Sequence, residues 1–226
     1  MDRRDNLYGR RKGKPLSTRR LALMATAYPA LAIDLAAATP ADLRTIFPVD
    51  IGGVRLEIGF GGGEHLIAAA TRQADFGFIG VEPFLNGMAK AVAAVADLGL
   101  RNVRLFDGDA ANLLDWLPPA SLAEIDLFYP DPWPKKRHFK RRFVSRANLD
   151  RFARVLAPGG LFRFVSDIDS YVEWTLRHAL AHADLAWTAE QADDWRRPFP
   201  DWPGTRYEAK ALTAGRRPAY LTFKRR

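Results

Sequence analysis

Short apolar segments alternate with amphipathic segments from residue 54 to residue 165. Apolar runs bounded by glycine, proline or charged residues indicate strands, and longer runs with apolar positions three and four apart indicate helices. The predicted strands are 54–58, 76–81, 103–106, 122–129 and 161–165, and the predicted helices are 64–71, 84–97, 110–116 and 143–156. Alternation at this spacing is typical of an α/β fold, with a parallel sheet covered by helices on both faces.

The two ends of the chain depart from this alternation. Residues 220–224 predict a last strand, which we expect to be the antiparallel edge strand common on mostly parallel sheets. Thr39 and Pro40 predict a helix start, with threonine as the N-cap and proline at the first helical position. Residues 1–38 are interpreted as a basic, mobile arm and connecting segment, because half of the first 20 residues are charged and this stretch offers little to bury. Residues 39–226 then form the main domain.

The composition limits the chemistry available to the chain. Its 226 residues carry a net charge of +8, which favours anionic partners. The absence of cysteine excludes disulfides, zinc–thiolate sites and cysteine nucleophiles, and it is compatible with a reducing cytoplasm. No apolar segment approaches the ~20 residues that span a bilayer. We therefore expect a cytoplasmic protein without membrane contact. His178 and His182 lack a third ligand in phase, so no metal site is predicted.

A glycine-rich loop follows the first predicted strand. Gly59, Gly61 and Gly63 would let the backbone turn tightly and approach a ligand closely. A dinucleotide fingerprint needs glycine at position 64, where this chain has Glu64, whose charge would repel a pyrophosphate. S-adenosylmethionine has no phosphate, and it carries an ammonium and a sulfonium that carboxylates can face. The loop therefore favours S-adenosylmethionine, with a plain glycine turn as the alternative.

Carboxylates lie at the ends of the first three predicted strands. Glu57 lies in the first strand, Glu82 follows the second, 19 positions after Gly63, and Asp109 follows the third. An acid about 20 residues after such a loop is suited to ribose hydroxyls. Asp109 could reach an adenine amino group. Because ligands of open α/β sheets bind outside the carboxyl ends of the strands, these acids favour the adenosyl ligand over the plain turn.

The segment 128–142 carries the strongest chemical signal. Proline follows both Tyr129 and Asp131, so we expect both residues to be extended, at the carboxyl end of the fourth predicted strand. Cations follow from Lys135 to Arg142, as contact with a polyanion requires, although a solvated charged turn is the general alternative. Trp133 is a candidate either for stacking on a base or for the core. An acid beside a run of cations indicates an enzyme that acts on nucleic acid.

The two segments together resemble the bacterial tRNA (guanine-N7-)-methyltransferases. The resemblance rests on Glu57-Ile-Gly-Phe-Gly61 and on Tyr129-Pro-Asp-Pro-Trp-Pro-Lys-Lys-Arg-His-Phe-Lys-Arg-Arg142, and it extends from about residue 56 to the C-terminus. It implies a Rossmann-like class I fold and transfer of the methyl group of S-adenosylmethionine to N7 of guanine 46 in the variable loop of tRNA. Pro134 is a departure, because many members have histidine there.

The resemblance also implies roles for individual residues. Asp131 is the implied catalytic acid. The implied cofactor contacts are Glu57, Gly59, Gly61, Gly63, Glu82, Asp109 and Ala110. The implied substrate contacts are Lys135, Asp167, Thr205, Arg206, Tyr207 and Glu208. The implied RNA contacts are Arg137, His138, Phe139, Lys140, Arg141 and Arg142. From the residues alone, Asp167 could equally be a helix N-cap. No obligate protein partner is evident.

The chemistry of guanine N7 agrees with this set of residues. N7 carries a free lone pair and no proton, so methyl transfer needs no general base, and the enzyme mainly supplies alignment and electrostatics. Asp131 is expected to accept hydrogen bonds from the guanine edge and to balance the positive charge of the product. Two alternatives remain. One is an aminopropyltransferase, which the cations disfavour because its substrates are cationic, and the other is a catalytically silent RNA-binding protein that kept the fold.

Overall fold

The computed structural model describes residues 11–200 and 202–226. The chain divides into two compact units, Met1–Pro118 and Pro119–Arg226, which we call unit 1 and unit 2. Strands alternate with helices in both units. Within the described residues, none of the helices is long and apolar enough to cross a membrane.

Unit 1 is built on three parallel strands in the order β3-β2-β1. Its elements along the chain are α1 (Thr18–Thr26), α2 (Tyr28–Leu31), a 3-10 helix (Leu43–Ile46), β1 (Gly53–Ile58), α3 (Glu64–Arg72), β2 (Phe76–Val81), α4 (Leu85–Leu98), β3 (Val103–Phe106) and α5 (Ala110–Trp116). Five of six residues are buried in both β1 and β2. Such continuous burial is expected of parallel strands that are covered on both faces.

The segment before β1 differs in part from the prediction. The Leu85 N–H donates to the Arg11 carbonyl at 2.9 Å, and the Gly13 N–H donates to Asn86 Oδ1 at 2.7 Å. Residues 11–14 therefore contact the first turn of α4. Leu23, Met24, Ala27, Tyr28 and Leu31 pack against the core of unit 1. Residues 1–10 of the predicted mobile arm lie outside the described residues.

The prediction that a helix begins at Thr39 is wrong. Only the 3-10 helix Leu43–Ile46 forms, and Asp42 caps it by accepting a hydrogen bond from the Arg44 N–H at 2.9 Å. The helix stops because Pro48 disfavours helical backbone at the residue before it, and Phe47 is accordingly extended, with φ −95° and ψ 143°.

Unit 2 contains four strands in the order β4-β5-β7-β6. Its elements along the chain are β4 (Leu122–Phe128), a 3-10 helix (Lys136–Arg141), α6 (Arg146–Val155), β5 (Leu156–Ser166), α7 (Asp169–Leu180), β6 (Leu185–Trp187), α8 (Asp193–Arg196), α9 (Arg206–Thr213) and β7 (Ala219–Arg225). β4 and β5 are parallel, and β7 runs antiparallel to both β5 and β6. The predicted antiparallel strand is thereby confirmed; the three-residue β6, which pairs with its outer side, was not predicted.

Candidate functional site

The glycine-rich loop of unit 1 joins β1 to α3. Gly59, Gly61 and Gly63 have φ values of 73°, 59° and 82°, in the left-handed region that favours glycine. Gly63 is the N-cap residue of α3, and its N–H donates to the Phe60 carbonyl at 2.9 Å. A Cβ placed on Gly59 would meet no atom within 4 Å, so the loop leaves open space beside its first glycine.

Glu82 holds this loop from the end of β2. Its carboxylate is buried; Oε2 accepts a hydrogen bond from the Gly61 N–H at 2.6 Å, and Oε1 accepts one from the Phe84 N–H at 2.9 Å. A carboxylate oxygen can accept more than one hydrogen bond. The observed bracing is therefore compatible with the predicted contact to ribose hydroxyls.

Gly87 lets α4 pack directly against the same loop. A Cβ at this position would lie 2.1 Å from the Gly61 carbonyl oxygen and 3.2 Å from Cγ of Glu82. Gly87 was not among the residues predicted from the sequence to be functional. The available signal was a single glycine inside a strongly helical segment, which often marks close packing.

Glu57 has a side-chain partner that sequence analysis did not select. Its Oε2 lies 2.8 Å from Nδ1 of His65 in the first turn of α3, and both side chains are buried. The pair links the end of β1 to the start of α3, on the two sides of the glycine-rich loop. Contact of Glu57 with a cofactor stays a prediction.

Asp109 is the N-cap residue of α5. Its Oδ1 accepts a hydrogen bond from the Ala111 N–H at 2.9 Å, and Ala110 is buried at the helix start. Within residues 11–200 and 202–226, Oδ2 has no recorded hydrogen-bond donor. That oxygen is therefore available for the predicted adenine contact.

In unit 2, β4 ends in the proline-rich segment predicted to carry catalysis. Tyr129 was expected to be extended but has φ 49°, and Trp133 has φ 43°. Such strain costs roughly 1–3 kcal/mol per residue and persists only where neighbouring contacts fix it. The Tyr129 N–H donates to the Val165 carbonyl at 2.8 Å, and its ring stacks on Tyr207 with centroids 6.3 Å apart. These contacts override the preference set by the following proline.

The Asp131 carboxylate is exposed, and within the described part of the chain it makes no hydrogen bond or ion pair. The surrounding protein nevertheless desolvates it in part, which raises the pKa of Asp131 above its ordinary value. Desolvation acts in this direction because it disfavours the charged form. The carboxylate is thus available to a ligand that donates hydrogen bonds.

The structure does not support the predicted RNA contact by Arg142. Its side chain is buried; Nε donates to the Pro132 carbonyl at 2.9 Å, and Nη1 and Nη2 donate to the Ser170 carbonyl and Oγ at 2.8 and 3.1 Å. The guanidinium also lies over the rings of Phe139, Tyr171 and Trp174, at 3.9, 4.8 and 5.3 Å from their centroids. We correct the role of Arg142 accordingly: it ties the segment that carries Asp131 to the first turn of α7.

The rest of the predicted RNA-contacting stretch forms the 3-10 helix Lys136–Arg141. Exposed cations in and beside this helix are Lys135, Lys136, Arg137 and Lys140. Desolvation, followed by the charges of Arg141, Arg137, Lys135 and Lys140, lowers the pKa of His138. Phe139 is half-buried against Trp174, with centroids 5.4 Å apart, and Arg141 lies 4.9 Å over Trp133. A concentrated positive surface is therefore present, and its contact with RNA stays a prediction.

Glu208, a predicted substrate contact, lies in a buried polar cluster. Its Oε2 accepts a hydrogen bond from Nε1 of Trp202 at 2.7 Å, and its Oε1 accepts one from the Tyr220 hydroxyl. Burial, with the hydrogen bond to Glu208, raises the pKa of Tyr220, which therefore remains a neutral donor. Neither Trp202 nor Tyr220 was singled out as a partner from the sequence, because the three residues meet only in the folded chain.

The predicted substrate contacts that precede Glu208 are one helix cap, Thr205, and two exposed residues, Arg206 and Tyr207. Thr205 is the N-cap of α9, and its Oγ1 accepts a hydrogen bond from the Glu208 N–H at 3.1 Å. Arg206 and Tyr207 are exposed, with the guanidinium 4.8 Å from the ring centroid. Arg206 and Tyr207 are therefore the members of the segment that a substrate could reach most directly.

Asp167 follows β5 and forms an ion pair. Its Oδ2 accepts a hydrogen bond from Nε of Arg216 at 2.5 Å, and the carboxylate is mostly shielded from solvent. The alternative role of N-cap is not observed, because the N-cap of α7 is Ile168. Asp167 could contact a substrate only beside Arg216.

His178 and His182 each bind a neighbouring group in unit 2. His178 Nδ1 lies 2.7 Å from the Trp174 carbonyl, and His182 Nε2 lies 3.1 Å from Oδ1 of Asp150. Among the described residues, no group of three or more histidine, aspartate or glutamate side chains could hold a metal ion. These histidines are thus accounted for by contacts within the fold.

Comparison with known proteins gives close relatives over nearly the whole chain. A family model described as "Putative methyltransferase" matches residues 52–220. The tRNA (guanine-N(7)-)-methyltransferase of Mesorhizobium japonicum is 61% identical over 219 residues, which cover 97% of this chain and 94% of that protein. The protein of the same name from Rhizobium meliloti is 59% identical over 218 residues, which cover 96% and 94% of the two chains.

Solved structures resemble the chain at the level of the fold. The 16S rRNA methyltransferase KamB has a TM-score of 0.56 and 19% identity, covering 81% of this chain and 90% of that chain. TrmN from Thermus thermophilus has a TM-score of 0.55 and 15% identity, covering 92% of this chain and 48% of that chain. The predicted Rossmann-like class I methyltransferase fold is thereby confirmed.

Proposed function

Because the chain belongs to the tRNA (guanine-N(7)-)-methyltransferase family, we propose that it transfers the methyl group of S-adenosylmethionine to N7 of guanine 46 in tRNA. The structural observation that carries this proposal is the Asp131 carboxylate, which is exposed and partly desolvated and which, among the described residues, makes no hydrogen bond or ion pair. It lies between two prolines and a few positions before the surface cations of unit 2.

We further propose that unit 1 supplies the cofactor-binding residues. The open space beside Gly59 and the left-handed turns of the loop suit close approach of a ligand to the backbone. Glu57, Glu82 and Asp109 suit the cationic and hydroxyl groups of an adenosyl sulfonium, and no cation among the predicted cofactor residues calls for a phosphate. When bound, S-adenosylmethionine supplies a methyl group made electrophilic by its sulfonium.

Unit 2 is proposed to hold the guanine. N7 carries no proton, so Asp131 does not act as a base; it accepts hydrogen bonds from N–H groups of the guanine edge and fixes the orientation of the ring. The purine gains positive charge as the methyl group arrives. A fixed carboxylate favours that charge in the transition state more than in the ground state, which is the condition for faster reaction.

The surface cations of the Lys136–Arg141 helix are proposed to bind the phosphate backbone around the target. N7 faces the major groove, which is too deep and narrow in A-form RNA for side chains to reach. A target in an irregular loop satisfies this restriction. A tRNA substrate favours a cytoplasmic location, where tRNA is found.

The proposal is tested by methylating an unmodified tRNA transcript with labelled S-adenosylmethionine, followed by reduction and aniline cleavage at 7-methylguanine. One labelled position, guanine 46, is expected, and a transcript with adenine at that position should receive no label. Label at another guanine would keep the reaction and reject the position. Binding of tRNA without any label would instead favour the catalytically silent RNA-binding protein.

A further inference from the structure

Unit 2 contains a cleft that none of the predicted functional residues lines. It has a volume of about 350 Å³ and is bounded by Arg146 at the start of α6 and by Trp174, Arg177, His178 and Ala181 of α7 and the residue after it. Pockets for small ligands usually measure about 300–1,000 Å³. The volume therefore suits one nucleotide rather than a folded partner.

One wall of the cleft is a rigid aromatic pair. Trp174 and His178 lie one helical turn apart, and their rings stack with centroids 4.1 Å apart and an interplanar angle of 29°. Nε1 of Trp174 donates to the Val144 carbonyl at 2.7 Å, and Nδ1 of His178 lies 2.7 Å from the Trp174 carbonyl. Both rings are thus held in position, as a stacking surface for a base requires.

Arginine lines the cleft on both helices. Arg177 lies with its guanidinium 5.4 Å from the Trp174 ring centroid, and it forms no ion pair within the described part of the chain. Arg146 pairs with Asp150, Nε to Oδ1 at 2.9 Å, but both side chains are largely exposed, so this pair is weak and can share the guanidinium with another anion. Guanidinium groups match phosphate oxygens in geometry.

The cleft adjoins the cationic 3-10 helix through Trp174. The Phe139 ring of that helix packs against Trp174 with centroids 5.4 Å apart, and Arg142, which holds the Pro132 carbonyl, lies 5.3 Å from the same indole centroid. A ligand in the cleft and a polyanion on the Lys136–Arg141 helix would therefore contact neighbouring parts of one surface. This continuity favours RNA as the occupant.

We propose that the cleft binds an unstacked nucleotide of the RNA substrate, distinct from the guanine that is methylated. Its base stacks against the Trp174–His178 pair, and its phosphate lies between Arg146 and Arg177. Proteins bind single-stranded RNA through this combination of aromatic surfaces and cations. The inference rests on the proposed function, in that it takes tRNA as the substrate.

A pair of double variants tests the cleft. Arg146→Gln with Arg177→Gln removes both cations. Arg196→Gln with Arg197→Gln is a matched control, because Arg196 also lies over a tryptophan, 4.9 Å from the Trp195 centroid, and Arg197 also forms an i,i+4 ion pair, with Asp193 at 2.6 Å. Both double variants therefore lose the same charge and the same kinds of local contact.

Affinity for unmodified tRNA is measured over a range of salt concentrations. Loss of the contact to this one phosphate should make the negative slope of log affinity against log salt shallower by about 0.7 and weaken binding about fourfold near 0.15 M salt. The control should behave like the parent protein. The methylation rate at saturating tRNA and the affinity for S-adenosylmethionine should not change. Hydroxyl-radical footprinting should show protection lost at one unpaired stretch.

His178→Ala gives an independent test that keeps the arginines. It should weaken tRNA binding without changing the salt slope, because it removes stacking but no cation. The proposal that the cleft binds a nucleotide would be wrong if the parent, the cleft variants and the control had equal tRNA affinities and equal salt slopes. It would also be wrong if the cleft double variant and its control lost the same amount of tRNA affinity. If the parent protein methylates tRNA and the cleft variants bind tRNA normally, the cleft proposal fails and the proposed function stands. If the parent protein neither binds nor methylates tRNA, both the proposed function and the cleft proposal fail.

Discussion

The position of the Asp131 carboxylate is set by the backbone around it, and in the part of the chain that the structure describes this carboxylate has no hydrogen-bond partner. Two left-handed residues, Tyr129 and Trp133, flank it at distances of two positions along the chain. Both are held by aromatic contacts, with Tyr207 and Arg141 respectively. The neighbouring contacts that hold these two residues in the left-handed region, at a cost of roughly 1–3 kcal/mol each, fix the direction of the segment between them.

Asp131→Asn is expected to lower kcat about 10²–10³-fold, as loss of one electrostatic contact to a transition state does. Binding of S-adenosylmethionine should not change, because its predicted contacts all lie in unit 1. Single-turnover methylation and calorimetric cofactor binding measure the two effects separately. A near-normal rate would show that Asp131 is not the catalytic carboxylate.

The same residue predicts a pH dependence. The pKa of Asp131 is raised by desolvation, so its protonation on acidification begins above the ordinary range for aspartate. As the pH decreases, the methylation rate should therefore begin to fall at a higher pH than titration of an ordinary aspartate would cause. The Asp131→Asn variant should lack this acidic fall in its pH–rate profile. A rate profile measured between neutral and mildly acidic pH tests the direction.

Ionisation of Asp131 is expected to favour methylation but to lower the stability of the fold. A pKa higher in the folded than in the unfolded state means that ionisation of Asp131 costs folding free energy at pH values above the unfolded pKa. Asp131→Asn should therefore be at least as stable as the parent at neutral pH. Thermal unfolding at pH 7 measures this, and a clear loss of stability would give the carboxylate a structural role.

At the scale of elements, several contacts join the segment between β4 and α6 to α7, and Arg142 makes the one that reaches the neighbour of Asp131. Arg142 joins the Pro132 carbonyl to the Ser170 carbonyl and hydroxyl, so the position of the catalytic segment depends on the first turn of that helix. Sequence analysis grouped Arg142 with the surface cations because charge alone does not distinguish a buried arginine from an exposed one. Its hydrogen-bond partners lie up to 28 positions away along the chain.

Arg142→Met is expected to reduce stability by about 2–3 kcal/mol, because it removes a buried guanidinium together with its hydrogen bonds to the Pro132 and Ser170 carbonyl groups. The methylation rate should fall with it, while the salt slope of tRNA binding stays unchanged. Lys140→Gln is the matched comparison. It should make the dependence of log tRNA affinity on log salt less steep by about 0.7 without affecting stability. Chemical denaturation and salt titrations give both quantities. A less steep salt dependence of tRNA binding for Arg142→Met would restore the original assignment of Arg142 as an RNA contact.

The packing of α4 on the glycine-rich loop gives a second prediction at this scale. Gly87→Ala would place a Cβ 2.1 Å from the Gly61 carbonyl, so the loop or the helix must shift. We expect a loss of about 1–3 kcal/mol in stability, as overpacking causes, and weaker S-adenosylmethionine binding. At Gly52 the nearest atom to an added Cβ is 3.7 Å away, so Gly52→Ala is the control. Equal cofactor affinities for the two variants would contradict the proposed role of the loop.

For the whole molecule, the strands other than β6 and their order along the chain follow from local pattern, and the side-chain partners do not. The bounds of β2, β3 and α5 agree with the prediction because apolar runs and caps are encoded within a few residues. Pairs such as Glu57–His65 and Glu208–Tyr220 depend on which elements meet, which one sequence does not reveal. The backbone of Tyr129 shows the same limit, since tertiary contacts override its neighbour Pro130.

The predicted roles separate between the units, and this predicts different salt responses. All seven predicted cofactor residues lie in unit 1, and Asp131 with all predicted substrate and RNA contacts lies in unit 2. Binding of tRNA should weaken with salt by about 0.7 in log–log slope per phosphate contacted. Binding of S-adenosylmethionine should change little. Parallel titrations of the two ligands test this, and a flat response for tRNA would remove the phosphate-binding role from the surface cations.

The hydrogen bonds of Glu82 to Gly61 and Phe84 have a thermodynamic consequence. These bonds come from within the chain and hold the glycine-rich loop in its turn, so the conformational entropy of that loop is lost during folding rather than on association. Preorganisation of this kind lowers the ordering cost of binding. Association of a nucleoside ligand with unit 1 should accordingly show a small heat-capacity change, set by the surface that the ligand covers and not by ordering of the chain.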